Sequence, residues 1–521
     1  MESANELLTI LPLIIIGVAG LFVMMLDAFT GSARLAYVSA ILFSAAALAV
    51  AVSDLFGPMG ESFHGLITYG GTAAFGMVLV MMGTLFSVIL SRDYLEKTGR
   101  HIAEVYSMIL FAAFGMLLLV ASNNLITLFL GIETMSISLY VLAGLVKNEK
   151  KSVEAALKYF LLGAFATGFL LYGIALLYGA SGSTFLLDIA ATEEKGMIYW
   201  AGVGLLLVGF FFKISAVPFH MWTPDVYQGA PTTITAFMAT ASKSAAFVAF
   251  ILVLSRALPD ARAEWSDVIW LFALLTMVIG NILALVQDNV KRMLAYSSIA
   301  HAGYVLVGVV AANSHPSFYM HNDAILFYLV AYTFAVIGAF GVLSYFARRG
   351  QEVQTFEDLG GLGLKHPFIG LVMGIFMLSA AGFPPTAGFL GKFYIFRSGV
   401  DVYAQTGETA LLTLVIVGVL ASVVGAFYYL RVLVYMFMKP ARREFEPLEH
   451  KGTRWALVIC AVLTLYIGIL PAKTIELSQD AVMDMTGVSE EIEEVIEEAR
   501  RQLEVLRADD DEILGLDSYM E

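Results

Sequence analysis

The sequence predicts an all-α polytopic membrane protein, and three observations predict this class. First, 59% of the 521 residues are hydrophobic and only 14% are charged, whereas soluble domains carry about 25% charged residues. Second, apolar runs of roughly 20 residues, enough to cross a bilayer core of about 30 Å, recur along the chain. Third, lysines and arginines are distributed unequally among the segments between these runs. The composition therefore excludes an ordinary soluble multidomain enzyme.

The apolar runs predict about fourteen transmembrane helices, which we number in chain order. They span residues 7–29, 33–56, 72–94, 103–121, 123–146, 153–180, 197–217, 231–257, 266–287, 291–312, 323–347, 367–396, 408–437 and 454–472. The first run is predicted to be a helix rather than a cleaved signal peptide, because it is long and residues 1–6 carry no positive charge.

The basic residues in the loops predict the orientation. If the N-terminus lies outside, the cytoplasmic loops hold 17 lysines and arginines and the outer loops hold 4. An excess of this kind on the inner side is the positive-inside pattern. An even number of helices then places both termini outside.

The formal net charge of −14 is concentrated near the C-terminus. Residues 473–521 hold 16 acidic and 4 basic residues, a net charge of −12, so the remaining chain has a net charge of −2. Apolar residues between 488 and 506 recur at helical spacing and predict an amphipathic tail helix, which either docks on a protein or stays solvated. The apolar runs make the lipid bilayer the expected partner. Because the rest of the chain has almost no net charge, nucleic acid is disfavoured as a partner.

The sequence carries no motif for a bound cofactor. Its only cysteine, Cys460, excludes an internal disulfide, a cysteine zinc site and a cysteine-ligated iron–sulfur cluster. It has no Walker A motif, no G-x-G-x-x-G between a strand and a helix, and no histidine pair with metal-ligand spacing. We therefore expect no nucleotide, metal or other cofactor in this chain.

Four charged residues deep in predicted helices are of particular interest, because a charge at the membrane centre costs about 2.5–3.5 kcal/mol or more. They are Glu133, Lys213, Lys243 and Lys392. One interpretation is structural ion pairing, but a single carboxylate cannot neutralise three lysines. The alternative is a proton relay, because burial disfavours the charged form of a lysine and a nearby carboxylate favours it.

Three further residues are candidates for an auxiliary role. Lys158 follows Glu154 by one helical turn near the cytoplasmic end of helix 6, so it is either a surface ion pair or a relay group. His220 lies at the end of helix 7, and His301 lies in the middle of helix 10. Imidazole can pass a proton near neutral pH, although hydrogen-bonded packing is the alternative for each histidine.

Two of the lysine-bearing helices contain helix-breaking residues. Pro218 follows Lys213, and the sequence Gly-Phe-Pro-Pro that begins at Gly382 precedes Lys392. Proline interrupts the hydrogen-bond ladder, and freed backbone is tolerated in a membrane only when it is buried in protein or lines a wet cavity. Interrupted helices at corresponding positions suggest two inverted five-helix repeats, helices 4–8 and 9–13. Simple packing kinks are the alternative.

These features divide the chain into five parts. Residues 1–102 hold helices 1–3, residues 103–257 form the first repeat and residues 258–437 the second. Residues 438–472 hold helix 14, and residues 473–521 are the acidic tail.

Two long motifs carry a resemblance to a known family. Residues 220–232 read HMWTPDVYQGAPT, and residues 382–394 read GFPPTAGFLGKFY. Both resemble the antiporter-like membrane subunits of respiratory complex I, the NADH-quinone oxidoreductase. Subunits L and M and the Mrp-type antiporters share the His-x-Trp-x-Pro core, whereas the VYQGAP and PPTAGF continuations are similar to subunit N. Lys392 also separates this chain from subunit M, which has a glutamate there. The resemblance covers about residues 7–472 and leaves out the tail.

The resemblance implies a role for each candidate residue. Glu133 and Lys213 would form the pair on helices 5 and 7 that couples charge movement to proton transfer. Lys243 would be the central relay lysine on a broken helix 8, and Lys392 the terminal lysine on broken helix 12. The auxiliary relay or gating groups would be Lys158, His220 and His301.

The resemblance also implies the setting in which the chain works. It would be a non-redox, proton-translocating subunit of an NADH:quinone oxidoreductase in the plasma (inner) membrane of a bacterium, with both termini periplasmic. Flavin, iron–sulfur clusters and quinone would bind other subunits. The neighbours would be subunit M, the small subunits K and J, and the lateral helix of subunit L. The alternatives are a standalone Mrp-type cation/proton antiporter and a homologous subunit of a hydrogenase- or ferredoxin-linked membrane complex.

Overall fold

A computed structural model of the chain describes residues 7–100, 102–313, 321–348, 351–447 and 451–485. Within these residues the protein is almost wholly helical, and twelve helices are long and apolar enough to cross a membrane. The predicted class, an all-α polytopic membrane protein, is confirmed. The predicted tail helix at 488–506 and the flank at 1–6 lie outside the described residues.

We label the main helices α1 to α15. They are α1 Leu11–Thr30, α2 Ala33–Asp54, α3 Gly71–Thr98, α4 Glu104–Val120, α5 Leu125–Ala143, α6 Lys150–Ser181, α7 Met197–Ile214, α8 Thr232–Ala257, α9 Arg262–Leu285, α10 Val290–Asn313, α11 Asn322–Tyr345, α12 in two halves Pro367–Ala381 and Ala387–Thr406, α13 Thr409–Met438, α14 Lys451–Ile469 and α15 Ala472–Val482. A short antiparallel hairpin, β1 Gly60–Ser62 and β2 Ile67–Tyr69, precedes α3. Because α4 has only 17 residues and α12 is split, the predicted count of fourteen spans stays a prediction.

The interruption predicted in helix 7 is present. Helix α7 ends at Ile214, and the next residue, Ser215, has a left-handed φ of 64°. A short helix, Trp222–Gly229, follows after a segment with a cis Val217–Pro218 peptide. Trp222 reaches back across the break, where its Nε1 donates to the carbonyl of Phe212 at 3.0 Å. Its ring also stacks on Tyr159 of α6 with centroids 4.4 Å apart. The tryptophan of the HMWTP motif therefore ties the broken segment to its neighbours.

The interruption predicted in helix 12 is also present. Its first half ends at Ala381, Gly382 has a φ of +90°, and the helix resumes at Ala387 after a cis Pro384–Pro385 peptide. Glycine suits this position because other residues rarely adopt a positive φ. The break leaves carbonyl groups at the end of the first half without helical partners.

Helix α8 differs from the expectation of a broken helix. The chain stays helical through 232–257, and residues Met238–Ser242 form a π-helical segment directly before Lys243. No proline or glycine occurs in this helix, so its hydrogen bonds shift in register instead of being lost. Such π segments are frequent at functional sites.

The interior of the molecule is formed by α8, α10 and α11. The most apolar stretches of α8 and α11 are buried along their whole length. By contrast, many large apolar side chains are exposed on α1, α2, α6 and α13. Helices α9 and α10 pack closely at Gly280, where a Cβ atom would lie only 2.8 Å from the backbone nitrogen of Ala300. This core encloses the lysines described next. The five-part division and the inverted repeats stay predictions.

Candidate functional site

Three lysines predicted from the sequence lie in the interior on three different helices. Lys213 of α7, Lys243 of α8 and Lys392 of α12 are only 6%, 4% and 6% exposed. Their Nζ atoms donate hydrogen bonds to hydroxyl and backbone carbonyl oxygens. Among the described residues, none of the three has a carboxylate oxygen within 4.0 Å. The geometry therefore does not support a set of structural ion pairs.

Lys213 meets α5 through Ser136 rather than through Glu133. Its Nζ donates to Ser136 Oγ, and the serine lies one helical turn beyond Glu133. Helix α5 begins at Leu125, and the preceding Asn124 is its N-cap, because its side chain accepts a hydrogen bond from the Ile126 nitrogen at 2.8 Å. Glu133 interacts with Lys213 electrostatically, but within the described structure its Oε1 is buried and has no hydrogen-bond partner.

Lys243 contacts α10 directly after the π segment of α8. Its Nζ donates to the backbone oxygen of Ser298 at 2.9 Å and also to Ser298 Oγ. Both partners are neutral, and burial without a counter-charge disfavours the ammonium form. Lys243 is therefore placed to hold or release a proton.

His301 lies one turn further along α10 and is fully enclosed. Its Nδ1 is hydrogen-bonded to Tyr328 OH of α11, and its Nε2 to Tyr429 OH of α13 at 2.8 Å. Tyr429 OH also bonds to Ser297 Oγ, which adjoins the serine that holds Lys243. Both ring nitrogens have partners that can donate or accept, so His301 can pass a proton on.

Lys392 forms hydrogen bonds at the break in α12. Its Nζ donates to the carbonyl oxygens of Ala380 and Ala381 at 2.9 and 3.0 Å, and to Ser422 Oγ of α13 at 2.8 Å. The two carbonyls belong to the last turn before Gly382. Lys392 Nζ also lies 5.1 Å from the ring centroid of Tyr304, on the same helix as His301.

Lys158 and His220 lie away from this line of residues. Lys158 Nζ is 2.6 Å from both Glu154 and Asp225, and its side chain is 41% exposed. His220 is half-buried in the break after α7, where its ring centroid is 6.5 Å from that of Tyr296. The contacts of Lys158 fit the surface ion-pair interpretation.

Sequence reasoning missed two charged residues near helix ends. Asp225, in the short helix after the break, bonds to Lys158 of α6 and to Arg292 of α10. Lys291 is 4% exposed, and its Nζ donates to the Ala230 carbonyl at 2.6 Å. Both residues can be recognised in the sequence as charges at the edges of apolar runs. The hydrophobic periodicity, however, does not reveal their partners on other helices.

Sequence reasoning also missed the polar residues around the lysines. They are four serines, four tyrosines and one asparagine in apolar helices, where such residues are common. They are Ser136, Asn281, Ser297, Ser298, Tyr304, Tyr328, Ser422, Tyr428 and Tyr429.

Comparison with known proteins identifies similar chains. Residues 122–423 match the family described as NADH:quinone oxidoreductase/Mrp antiporter, transmembrane. NADH-quinone oxidoreductase subunit N of Trichlorobacter lovleyi is 44% identical over 482 residues, covering 91% of this chain and 96% of that protein. The subunit of the same name from Salinibacter ruber is 44% identical over 474 residues, covering 87% and 91%.

Solved structures share the fold. A chain of respiratory complex I from Thermus thermophilus with bound aureothin has a TM-score of 0.76 at 36% identity, covering 90% of this chain and 100% of that chain. A chain of the Mrp complex from Dietzia has a TM-score of 0.81 at 19% identity, covering 93% and 98%. This second likeness shows the fold alone.

Proposed function

We propose a relay mechanism from the premise that this chain belongs to the NADH:quinone oxidoreductase/Mrp antiporter family and, within it, to the NADH-quinone oxidoreductase subunit N group. It is an antiporter-like, proton-translocating membrane subunit of complex I. The proposal concerns which of its residues carry the proton.

The observation that carries the proposal is that three buried lysines all donate to neutral oxygens. A lysine without a counter-charge in a low-dielectric interior can exchange its proton when a nearby charge moves. Arginine could not do so, because it stays protonated. Glu133, with a buried and unbonded Oε1 in the described structure, is the group whose movement toward Lys213 would change that balance.

The steps follow from this arrangement. Redox energy that arrives through neighbouring subunits shifts Glu133 toward or away from Lys213. The altered charge on Lys213 changes the proton affinity of Lys243. Lys243 then passes a proton through the His301 region to Lys392, and Lys392 releases it to the outer side.

The chemistry of electron transfer is assigned to other subunits. We infer that flavin, iron–sulfur clusters and quinone bind elsewhere, and that this chain contributes to the enzyme only as its non-redox part. The expected neighbours are subunit M, subunits K and J, and the lateral helix of subunit L. The expected location is a bacterial inner membrane with both termini on the periplasmic side, as the 17-to-4 distribution of basic loop residues supports.

The test is proton pumping by the assembled complex in proteoliposomes. We expect Lys213→Ala and Lys243→Ala each to abolish or sharply reduce pumping and the quinone reduction coupled to it, with the complex still assembled. Lys439→Ala is the matched control, because Lys439 is exposed at the end of α13. Full pumping by both interior variants would overturn the relay.

A further inference from the structure

Asn281 is a fully buried amide on α9 that contacts both α10 and α13. Its Nδ2 donates to the Met277 carbonyl at 2.8 Å and to Tyr304 OH at 3.0 Å. Its Oδ1 accepts from Tyr428 OH at 3.0 Å. Asn281 therefore joins two tyrosines that belong to different helices.

The orientation of this amide is determined by its partners. The Met277 carbonyl can only accept a hydrogen bond, so the atom that faces it must be the nitrogen. The second hydrogen of that NH₂ group then points at Tyr304, and the amide oxygen must face Tyr428. Tyr428 consequently donates its proton to Asn281, while Tyr304 accepts and keeps its own proton for another partner.

The two tyrosines lead to opposite ends of the candidate relay. The Tyr428 ring packs on Tyr429 with centroids 4.5 Å apart, the two side chains also interact through a hydrogen bond, and Tyr429 OH is bonded to His301. Tyr304 lies against Ser422 and Lys392. The link from His301 to Lys392 through these tyrosines thus passes through Asn281.

The packing of α13 makes room for this contact. A Cβ at Gly425 would lie 2.9 Å from Asn281 Oδ1 and 3.3 Å from Tyr428 OH. A larger residue at 425 would separate α13 from the amide.

We propose that Asn281 is a positioning residue that closes this tyrosine link to protons and fixes the direction of the hydrogen bonds on both sides of it. A carboxamide neither releases nor takes up a proton under physiological conditions, so a proton cannot hop from Tyr428 to Tyr304 through it. Protons that leave His301 must use its other side, which faces Tyr328. This inference rests on the proposed proton-relay function.

The test compares Asn281→Asp with Asn281→Leu in the assembled complex in proteoliposomes. Aspartate keeps the size and the oxygen facing Tyr428, but replaces the NH₂ donor with a group that titrates. We expect Asn281→Asp to change the pH profile of proton pumping, with a loss of about tenfold where the carboxylate is ionised, the factor lost with one hydrogen bond of about 1.4 kcal/mol. We expect Asn281→Leu to lower pumping by a similar factor without changing the pH profile.

Gln287→Glu is the matched control, because it makes the same amide-to-acid change just after the end of α9, where the only side-chain hydrogen bond that the structure describes for Gln287 goes to the Leu283 carbonyl. It should retain the pH profile of the unchanged protein. An Asn281→Asp variant with an unchanged profile, or one that behaves like Asn281→Leu at every pH, would overturn the proposal. If Asn281→Leu does not assemble, the isosteric aspartate variant still decides. Full pumping by both Lys213→Ala and Lys243→Ala would instead overturn the relay itself, so the two failures are distinguishable.

Discussion

Lys213 donates its hydrogen bond to Ser136, one helical turn from Glu133, and not to the Glu133 carboxylate. The lysine is thereby held next to the acid without being neutralised by it. In the proposed relay, a movement of Glu133 toward Lys213 would give the lysine a charged partner. This arrangement is what a group that alternates between two protonation states requires.

Ser136→Ala should therefore impair proton translocation. Without the hydroxyl, Lys213 loses a hydrogen bond that is worth about 1.5–3 kcal/mol when one partner is charged, and it turns to Glu133 instead. A fixed ion pair would stop the alternation, so we expect pumping in proteoliposomes to fall by at least about tenfold. Ser138→Ala is the control, because Ser138 bonds only to the Thr134 carbonyl of its own helix. Equal pumping by the two variants would contradict this role for Ser136.

Gly131→Ala should weaken the packing that positions Glu133. A Cβ at Gly131 would lie 2.8 Å from the Leu119 nitrogen and 2.9 Å from the Gly115 oxygen of α4. Overpacking of this kind costs about 1–3 kcal/mol. We expect a lower thermal midpoint of the purified complex and less assembled protein.

Gly168→Ala on α6 is the control for this packing prediction, because a Cβ there meets nothing within 4 Å. It should be neutral or slightly stabilising, since alanine is the better helix former. A similar loss in both variants would contradict the interpretation that the effect of Gly131→Ala comes from close packing against α4.

Asp225→Asn should loosen the short helix after the break in α7. Asp225 accepts from Lys158 at 2.6 Å and is also bonded to Arg292, so it connects α6 with α10. Its side chain is 28% exposed, and we expect a loss of about 1–2 kcal/mol after solvent screening. The loosened helix should be detected as faster limited proteolysis near residues 215–229 and as reduced proton pumping.

Glu154→Gln provides the comparison for Asp225. Glu154 pairs with the same lysine at 2.6 Å, but it is 56% exposed and lies on the same helix. Exposed pairs of this spacing contribute about 0.3–0.5 kcal/mol. Glu154→Gln should therefore change stability and pumping very little. An effect as large as that of Asp225→Asn would contradict the role of Asp225 in connecting α6 with α10.

His301→Gln should stop proton transfer while preserving hydrogen bonding. Glutamine can still bond to Tyr328 or Tyr429, but it cannot take up and release a proton as imidazole does. Because a positioned acid–base group contributes about 10²–10⁴-fold to a proton-transfer step, we expect pumping to fall by at least about 100-fold. His64→Gln, in the exposed turn of the β1–β2 hairpin, should pump normally. Retained pumping by His301→Gln would exclude a relay role for this histidine.

The sequence predicted the membrane class, the breaks after Lys213 and before Lys392, and the three interior lysines. Each of these depends on local information. The length of an apolar run predicts a membrane span, and proline and glycine predict an interrupted helix. A lysine within an apolar run can be recognised without any other information. The family also follows from contiguous motifs, residues 220–232 and 382–394.

The form of α8 was not predictable in the same way. Its sequence contains neither proline nor glycine, so nothing local signals an interruption. The π segment before Lys243 arises where α8 is enclosed on all sides by other helices. Packing, rather than residue preference, decides the register of its hydrogen bonds.

By itself, then, the sequence determined that this protein crosses the membrane many times and buries Lys213, Lys243 and Lys392 in its helices. Only the tertiary structure decided what each of them touches. Ser136 is 77 residues from Lys213, and Ser298 is 55 residues from Lys243. Lys158 is bonded to Asp225, which is 67 residues away. Periodicity encodes which face of a helix is buried, but it carries no information about which distant helix supplies the partner.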